Sequence, residues 1–166
     1  LGNRQPSAPL SQPVKDLIRE GALFSKQGKF DEGIAKFNDA LKINPNYSEL
    51  YFFIGVAESQ RGNKDKALEY YGKAIEKDPR HFLAYKQSAL IFSERKMDDQ
   101  AHKYFINTLI ANPKDAETMY YLGLIEAMHN RFVAADRWFR KAEKAGYNIP
   151  EKNRKLVNEI GRASCR

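Results

Sequence analysis

Residues 78–113 read DPRHFLAYKQSALIFSERKMDDQAHKYFINTLIANP and contain one complete period of an internal repeat. The segment begins and ends with an Asx-Pro pair, and a third such pair, Asn44-Pro45, lies one period upstream. The three prolines are therefore spaced 34 residues apart, which indicates an array of identical supersecondary units. Proline cannot continue a helix because it lacks the N–H donor, so each pair predicts the end of one unit.

Placing each of these prolines at repeat position 32 divides the chain into repeats 14–47, 48–81, 82–115 and 116–147. Other positions then agree: positions 8, 20 and 27 are small or short, and position 24 is always an aromatic ring. In repeat order, these residues are Gly21, Gly55, Ala89 and Gly123 at position 8; Gly33, Ala67, Ala101 and Ala135 at position 20; Phe37, Tyr71, Phe105 and Phe139 at position 24; Ala40, Ala74, Thr108 and Ala142 at position 27.

This pattern resembles the tetratricopeptide repeat (TPR) motif W-x2-L-G-x2-Y…A-x3-F…P over residues 14–147. The resemblance implies an all-α TPR solenoid of antiparallel helix pairs that winds into a right-handed superhelix. The end repeats depart from the motif: Glu20 replaces the Leu of position 7, and Tyr147 replaces the closing Pro of repeat 4. Atypical end repeats are normal in solenoids, since they cap the array.

We expect the first helix of each pair, helix A, at about 14–27, 48–61, 82–95 and 116–129, and helix B at about 30–43, 64–77, 98–111 and 132–145. The turns between them are predicted at Gly28-Lys29, Gly62-Asn63, Lys96-Met97 and Asn130-Arg131.

The two ends of the chain differ from the repeats in composition. Residues 1–13 are rich in Pro, Ser and Gln and are predicted to be a flexible segment. Residues 148–160 begin with a helix-start signal around Pro150 and carry one apolar stripe, so they are predicted to form a capping helix. Residues 161–166 are predicted to be a disordered tail, with a composition typical of a cloning scar.

Helical periodicity places positions 2, 5, 9, 12 and 13 of each helix A on one side, with position 6 at its border. In the TPR family this side lines a concave groove that binds peptides or partner helices. The predicted groove residues are Ile18, Phe52, Val56, Leu83, Lys86, Leu90, Tyr120, Leu124 and Met128, and the border residues are Arg19, Phe53, Gln87 and Tyr121. An apolar surface of this kind is typical of an interaction site for an apolar or amphipathic peptide or helix.

Some of these side chains could instead belong to the core. We expect Phe52 and Tyr120 to be exposed, and Phe53 and Tyr121 to pack against the neighbouring helix A. A further alternative is that residues 1–13 fold back into the groove through Pro9 or Leu10.

The carboxylate clamp of chaperone-binding TPR domains is not present in either possible register. Its positions carry Ile18, Ala22, Phe53, Leu83 and Gln87 in repeats 1–3, and Phe52, Val56, Gln87, Glu117 and Tyr121 in repeats 2–4. The sequence therefore predicts no binding of the Hsp70/Hsp90 C-terminal tail type.

The net charge of +7 is unevenly distributed along the chain. Residues 1–130 hold 18 Lys and Arg against 17 Asp and Glu, whereas residues 131–166 hold 10 against 4. A basic patch is predicted from Arg137, Arg140, Lys141, Lys144, Lys152, Arg154 and Lys155. It is the basis for an alternative function, binding of nucleic acid or an anionic surface, although aromatic residues for base stacking are not interleaved with these cations.

No catalytic motif is evident. His81, His102 and His129 occupy different repeat positions and are expected to be surface residues, and Cys165 is the only cysteine. The sequence predicts no enzyme activity, no catalytic residue, no metal site, no cofactor and no small-molecule substrate. Asp98-Asp99 is expected to start a helix, where acidic residues complement the helix dipole.

We therefore predict a protein-interaction scaffold or adaptor that acts in the assembly of a larger complex, or else an accessory module of a larger protein. Nucleic acid is not the favoured partner, self-association is left open, and no transmembrane segment is predicted. The sequence is compatible with a cytoplasmic location, or with a periplasmic or membrane-anchored one if an upstream signal is removed.

Overall fold

The structure is a computed structural model that describes residues 9–163. Within that range the chain forms nine α-helices and no β-strand. The helices are α1 (Gln12–Lys26), α2 (Phe30–Ile43), α3 (Ser48–Gln60), α4 (Lys64–Lys77), α5 (Phe82–Glu94), α6 (Asp98–Ala111), α7 (Ala116–Met128), α8 (Phe132–Lys144) and α9 (Glu151–Ala163). The chain divides into two units: unit 1 ends at Pro79 and contains α1–α4, and unit 2 begins at Arg80 and contains α5–α9.

Each unit is built from helix pairs. In unit 1, α1 packs on α2 and α3 packs on α4, and α2 joins the two pairs by packing on α3. In unit 2, α5 packs on α6 and α7 on α8, α6 joins these pairs by packing on α7, and α9 packs on α8. The first eight helices begin and end within two residues of the predicted helices A and B. Each helix pair is therefore one repeat.

The short A-to-B turns contain a residue in the left-handed backbone region. Gly28 and Gly62 have φ of +76° and +94°, and Lys96 and Asn130 have φ of +56° and +59° at the equivalent positions. The next residue in each turn donates its N–H to a carbonyl five residues earlier, as in Lys29 to Phe24 at 2.9 Å. This arrangement satisfies carbonyl groups that the end of helix A leaves without an intrahelical partner.

Close packing of each pair requires the small residue at position 8. An added Cβ at Gly21 or Gly55 would lie 2.6 Å from a ring carbon of Phe37 or Tyr71, respectively, and Gly123 faces the ring of Phe139 in the same way. The residues at positions 8, 20, 24 and 27 of all four repeats are buried. The 34-residue frame therefore identifies the core of each pair.

The ends of the chain differ from the predictions. Helix α1 begins at Gln12, so the predicted flexible segment 1–13 is wrong for its last two residues, where Pro13 occupies the first helical turn that suits it. Helix α9 continues through Ala163, so the predicted start of the disordered tail at 161 is also wrong. A single glycine weakens a helix by about 1 kcal/mol but does not end one that has already formed. The remaining predictions for 1–8 and 164–166 fall outside the described residues.

Candidate functional site

Four aromatic rings form a continuous ladder in unit 1. Phe53 of α3 contacts Phe37 of repeat 1, with ring centroids 5.6 Å apart, and it also contacts Phe52 at 6.1 Å. Phe52 in turn contacts Tyr71 of its own repeat at 5.7 Å. Positions 5 and 6 of helix A therefore connect the position-24 rings of two successive repeats.

The same ladder occurs in unit 2 with different rings. Tyr121 of α7 stacks on Phe105 at 5.3 Å with an interplanar angle of 9°, and Tyr120 contacts Tyr121 at 5.7 Å. Tyr120 contacts Phe139 at 5.8 Å and Tyr147 at 4.8 Å. Its hydroxyl oxygen also accepts a hydrogen bond of 2.7 Å from Nδ2 of Asn153, which ties α9 to α7.

These contacts correct the prediction that Phe52 and Tyr120 are exposed. Phe52 is 8% exposed and Tyr120 is 9% exposed, whereas the border residues Phe53 and Tyr121 are only half-buried. Phe52 and Tyr120 are buried because their side chains are long. A ring at position 5 reaches sideways onto the position-24 ring of its own repeat, although its Cα lies on the outer side of helix A.

In each unit, the side chains at positions 2, 5, 9, 12 and 13 of helix A define what we call the A-helix face. In unit 2 this face contains a partly buried ion cluster. Lys86 Nζ lies 3.0 Å from Asp115 Oδ2 and 2.5 Å from Glu117 Oε2, so α5 is joined to α7. Burial would lower the pKa of Lys86, but hydrogen bonds to Glu117 and Asp115 raise it above its ordinary value. The lysine therefore remains charged.

The tyrosines beside this cluster respond to the same charges. Burial, followed by the nearby carboxylate of Glu117, raises the pKa of Tyr121. Burial, with smaller contributions from Tyr120 and Glu117, also raises the pKa of Tyr147. Both phenols therefore remain neutral donors, and the Tyr121 hydroxyl lies 3.5 Å from Glu117 Oε1.

The A-helix face of unit 2 also has apolar side chains at its groove positions. Met128 is 59% exposed, and Leu83, Leu90 and Leu124 are half-buried. In unit 1, Phe52 on this face is buried, and the other predicted apolar groove residues, Ile18 and Val56, are half-buried. Of the nine predicted groove residues, Met128 alone is exposed, and the other eight are buried or half-buried.

Comparisons with known proteins identify the family of the repeats. A family model described as tetratricopeptide repeat matches residues 18–82 and 99–148. The chain belongs to the TPR family.

Several solved TPR structures share this fold at low sequence identity. MamA from Desulfovibrio magneticus RS-1 is 18% identical with a TM-score of 0.73, and the match covers 94% of this chain and 88% of that one. A tetratricopeptide repeat protein from Parabacteroides merdae ATCC 43184 is 18% identical with a TM-score of 0.78, covering 92% and 62%. Pseudomonas aeruginosa pilF is 17% identical with a TM-score of 0.74, covering 92% and 69%. No curated protein sequence gives a significant match.

Four TPR repeats and a capping helix therefore make up the described part of the chain, and the fold class is all-α helical repeat. TPR repeats generally mediate protein–protein interaction and complex assembly and are generally non-enzymatic. Within residues 9–163, no helix is long and apolar enough to cross a membrane. The same residues hold no group of three or more His, Cys, Asp or Glu side chains placed to bind a metal ion.

Pro9 and Leu10, which precede the first repeat, do not lie on the A-helix face. The alternative in which residues 1–13 fold back into the groove through these two residues is therefore wrong. These two residues line a cavity of about 450 Å³ together with residues 43–47, none of which belongs to the predicted groove. Leu10 also packs against the core cluster that contains Val14 and Phe37. Residues 1–8 lie outside the described range.

Three of the seven residues of the predicted basic patch form ion pairs within the TPR fold. Arg154 pairs with Asp136 at 2.6 Å and also with Glu143. Arg140 pairs with Asp136 at 2.7 Å, and Lys155 pairs with Glu151 at 2.8 Å. These carboxylates reduce the charge that the patch offers to a polyanion. The remaining members are exposed, namely Arg137, Lys141, Lys144 and Lys152.

One of the three histidines does not lie on the surface as predicted. His81 is 5% exposed and caps α5, where its Nδ1 accepts a hydrogen bond of 3.2 Å from the N–H of Ala84. A capping side chain folds over its helix end and is thereby shielded from solvent. His102 and His129 are partly exposed and lie 3.5 Å from Glu126 and 2.9 Å from Asp98, respectively.

Proposed function

We propose that this chain is a protein-interaction scaffold whose binding surface includes the A-helix face of unit 2. The observation that carries the proposal is the exposure of Met128 on a face that also has half-buried leucines at the groove positions of α5 and α7. Met is an adaptable interface residue, because its side chain is unbranched and polarisable. A partner that covers this surface would gain roughly 1.5–3 kcal/mol for each large apolar side chain that it fully buries, before ordering costs.

The ligand that fits this surface best is a short amphipathic helix or an apolar peptide. Its apolar side chains would contact Leu90, Leu124 and Met128. Two carboxylates surround one ammonium group in the ion cluster, so a Lys or Arg of the partner would be complementary to Glu117, which is 44% exposed in its side chain. A polar contact of this kind fixes the orientation of a helix in an apolar groove.

We also propose that the chain has no catalytic activity and does not bind chaperone tails. Both proposals are supported by the scaffold character of TPR repeats and by the absence of the clamp residues in both registers. The proposed role is complex assembly through the A-helix face. The nucleic-acid alternative gains no support, because Arg140, Arg154 and Lys155 already have carboxylate partners.

The test is affinity capture from the native host with two matched variants. Met128→Glu places a charge on the A-helix face, whereas Val133→Glu places one on α8 at a residue that is also 59% exposed. We expect Met128→Glu to reduce capture of specific partners at least about tenfold, since an unpaired charge would have to be desolvated at the interface. Val133→Glu should leave capture unchanged.

Equal capture by the wild type and both variants would contradict the proposed surface. Far-UV circular dichroism of each variant is the folding control, because both residues are exposed and neither substitution should alter helicity.

A further inference from the structure

Unit 2 contains a second candidate site, which shares no residue with the A-helix face. We call it the three-lysine pocket: it is lined by Pro113, Lys114, Met119, Lys141, Lys144 and Ala145. Its volume is about 460 Å³, within the range that holds small ligands and peptide side chains. The loop after α6, the first turns of α7 and the end of α8 form it. Met119 packs against the core, so its side chain gives the pocket an apolar and fixed floor.

The charge of the three-lysine pocket is uncompensated. Lys114, Lys141 and Lys144 are exposed, and in the described part of the chain none of them has a carboxylate partner. Lys141 Nζ lies 4.6 Å from the centroid of the Trp138 ring, which fixes this ammonium group. Lysines in the last turn of a helix complement its dipole, which explains Lys141 and Lys144. That explanation does not extend to Lys114, which lies in the loop after α6.

At the equivalent place in repeat 2, in unit 1, the corresponding side chains are bonded to neighbouring groups. Tyr51 stands where repeat 4 has Met119, and its hydroxyl donates a hydrogen bond of 2.9 Å to the carbonyl of Pro45. Lys77 stands in place of Ala145 and donates a hydrogen bond of 3.2 Å to Asn46, the equivalent of Lys114. Lys73, the equivalent of Lys141, pairs with Glu69 at 2.7 Å.

Two further exchanges reverse the charge between these equivalent places. Glu69 and Glu76 of repeat 2 correspond to Arg137 and Lys144 of repeat 4. The cation over a ring is nevertheless retained, since Lys73 lies 4.5 Å from the centroid of the Tyr70 ring. Lys73 and Lys141 therefore share the ring contact, but Lys73 also has a carboxylate partner, and only repeat 4 has Met119 and two further lysines, Lys114 and Lys144, at this place.

We propose that the three-lysine pocket binds an acidic peptide segment that carries one apolar side chain between carboxylates. The apolar side chain contacts Met119, and the flanking carboxylates pair with the three ammonium groups. Charge complementarity favours an anion, and the apolar floor favours a peptide over a phosphate backbone, for which this floor would have no partner. The indole of Trp138 is half-buried and already covered by Lys141, so it is not free to stack on a base.

The experiment uses the peptide Asp-Glu-Leu-Glu-Asp, acetylated, amidated and fluorescently labelled through a linker, with binding measured by anisotropy at about 50 mM NaCl, where screening is weak. The pocket variant Lys114→Asn/Lys144→Glu introduces the residues that repeat 2 has at these places. The control variant Lys103→Glu/Lys152→Asn changes the net charge equally, at exposed lysines outside the pocket. A simpler variant, Lys114→Ala/Lys144→Ala, serves if the first pair disturbs folding.

We expect the pocket variants to weaken binding at least about fivefold and the control variant less than about twofold, since neighbouring charges act more strongly than distant ones. Replacing the Leu of the peptide by Ser should also weaken binding at least about fivefold, because the contact with Met119 is lost.

Three results would each overturn the proposal. They are no binding of the peptide, an equal loss in the pocket and control variants, or an unchanged affinity of the Ser peptide. A single-stranded oligonucleotide and vesicles with anionic lipid are measured alongside, and stronger binding of either than of the peptide would also count against it. Because Met128 is not part of the pocket, these results are independent of the capture experiment.

Discussion

Repeats 2 and 4 have equivalent core residues 68 positions apart, but their surfaces differ. Both have a glycine at position 8, rings at positions 5, 6 and 24, and a buried glutamate at position 11, namely Glu58 and Glu126. Each glutamate accepts a hydrogen bond from the residue five positions later, Asn63 or Arg131. The two repeats differ where residues reach solvent, as at Asn46 and Lys114. The shared positions therefore explain the fold, and the differing positions are where distinct functions are to be sought.

The largest expected effect comes from removing one ring of each ladder. Phe52→Ala and Tyr120→Ala should each lower the free energy of unfolding by about 3–5 kcal/mol, because a buried ring leaves a cavity that its neighbours cannot fill. Urea unfolding followed by far-UV circular dichroism measures the change. Losses that differ by more than about 2 kcal/mol between the two variants would show that the ladders are not equivalent.

The next effect tests the small residue at position 8. Gly55→Ala and Gly123→Ala should each destabilise the protein by about 1–3 kcal/mol, because the added methyl group collides with the ring of Tyr71 or Phe139. Gly72→Ala is the matched control within a helix, since a Cβ there meets no atom within 4 Å. That control should stabilise the protein by about 0.5–1 kcal/mol. Destabilisation by all three substitutions would rule out ring contact as the cause.

A smaller effect distinguishes the two ladders. Tyr120→Phe removes the hydrogen bond from Asn153 and should cost about 1 kcal/mol, with faster amide hydrogen exchange in α9. The reverse exchange in repeat 2, Phe52→Tyr, leaves the hydrogen bond between Tyr120 and Asn153 intact and should therefore not change hydrogen exchange in α9. Unchanged exchange in α9 after Tyr120→Phe would mean that packing alone holds this helix.

The smallest effect concerns the A-to-B turns. Lys96→Gly should stabilise the protein by up to about 1 kcal/mol, because glycine adopts positive φ without the steric cost that a side chain has. In repeat 2, Gly62→Ala should destabilise it by a similar amount for the converse reason. Thermal unfolding of both variants provides the measurement, and a lower Tm for Lys96→Gly would contradict this explanation.

The fold could be predicted from the sequence because the prolines define a repeat frame without reference to any other position. Once Pro45, Pro79 and Pro113 were placed, the core positions and the four A-to-B turns followed. The turn at Lys96-Met97 was found by the frame alone, since this dipeptide has no turn signal of its own. The ends of the array were less predictable, because no neighbouring repeat defines them.

The candidate site was harder to predict for two physical reasons. A helical projection locates Cα atoms but ignores side-chain length, so it placed Phe52 and Tyr120 in the solvent although their rings reach the core. The three-lysine pocket combines residues from a loop and two helices, and its charge balance depends on which lysines find carboxylates. Lys141 and Lys144 were in the predicted basic patch, but the contributions of Lys114 and Met119 appear only in three dimensions.

The central claim, that the A-helix face of unit 2 contacts a protein partner, is tested most directly by site-specific photocrosslinking in the native host. A photoreactive phenylalanine is placed at residue 128 and, in a matched experiment, at residue 133, since Met128 and Val133 are equally exposed. We expect a discrete crosslinked protein from residue 128 that is absent or strongly reduced at residue 133. No adduct at residue 128, or the same adducts at both residues, would contradict it.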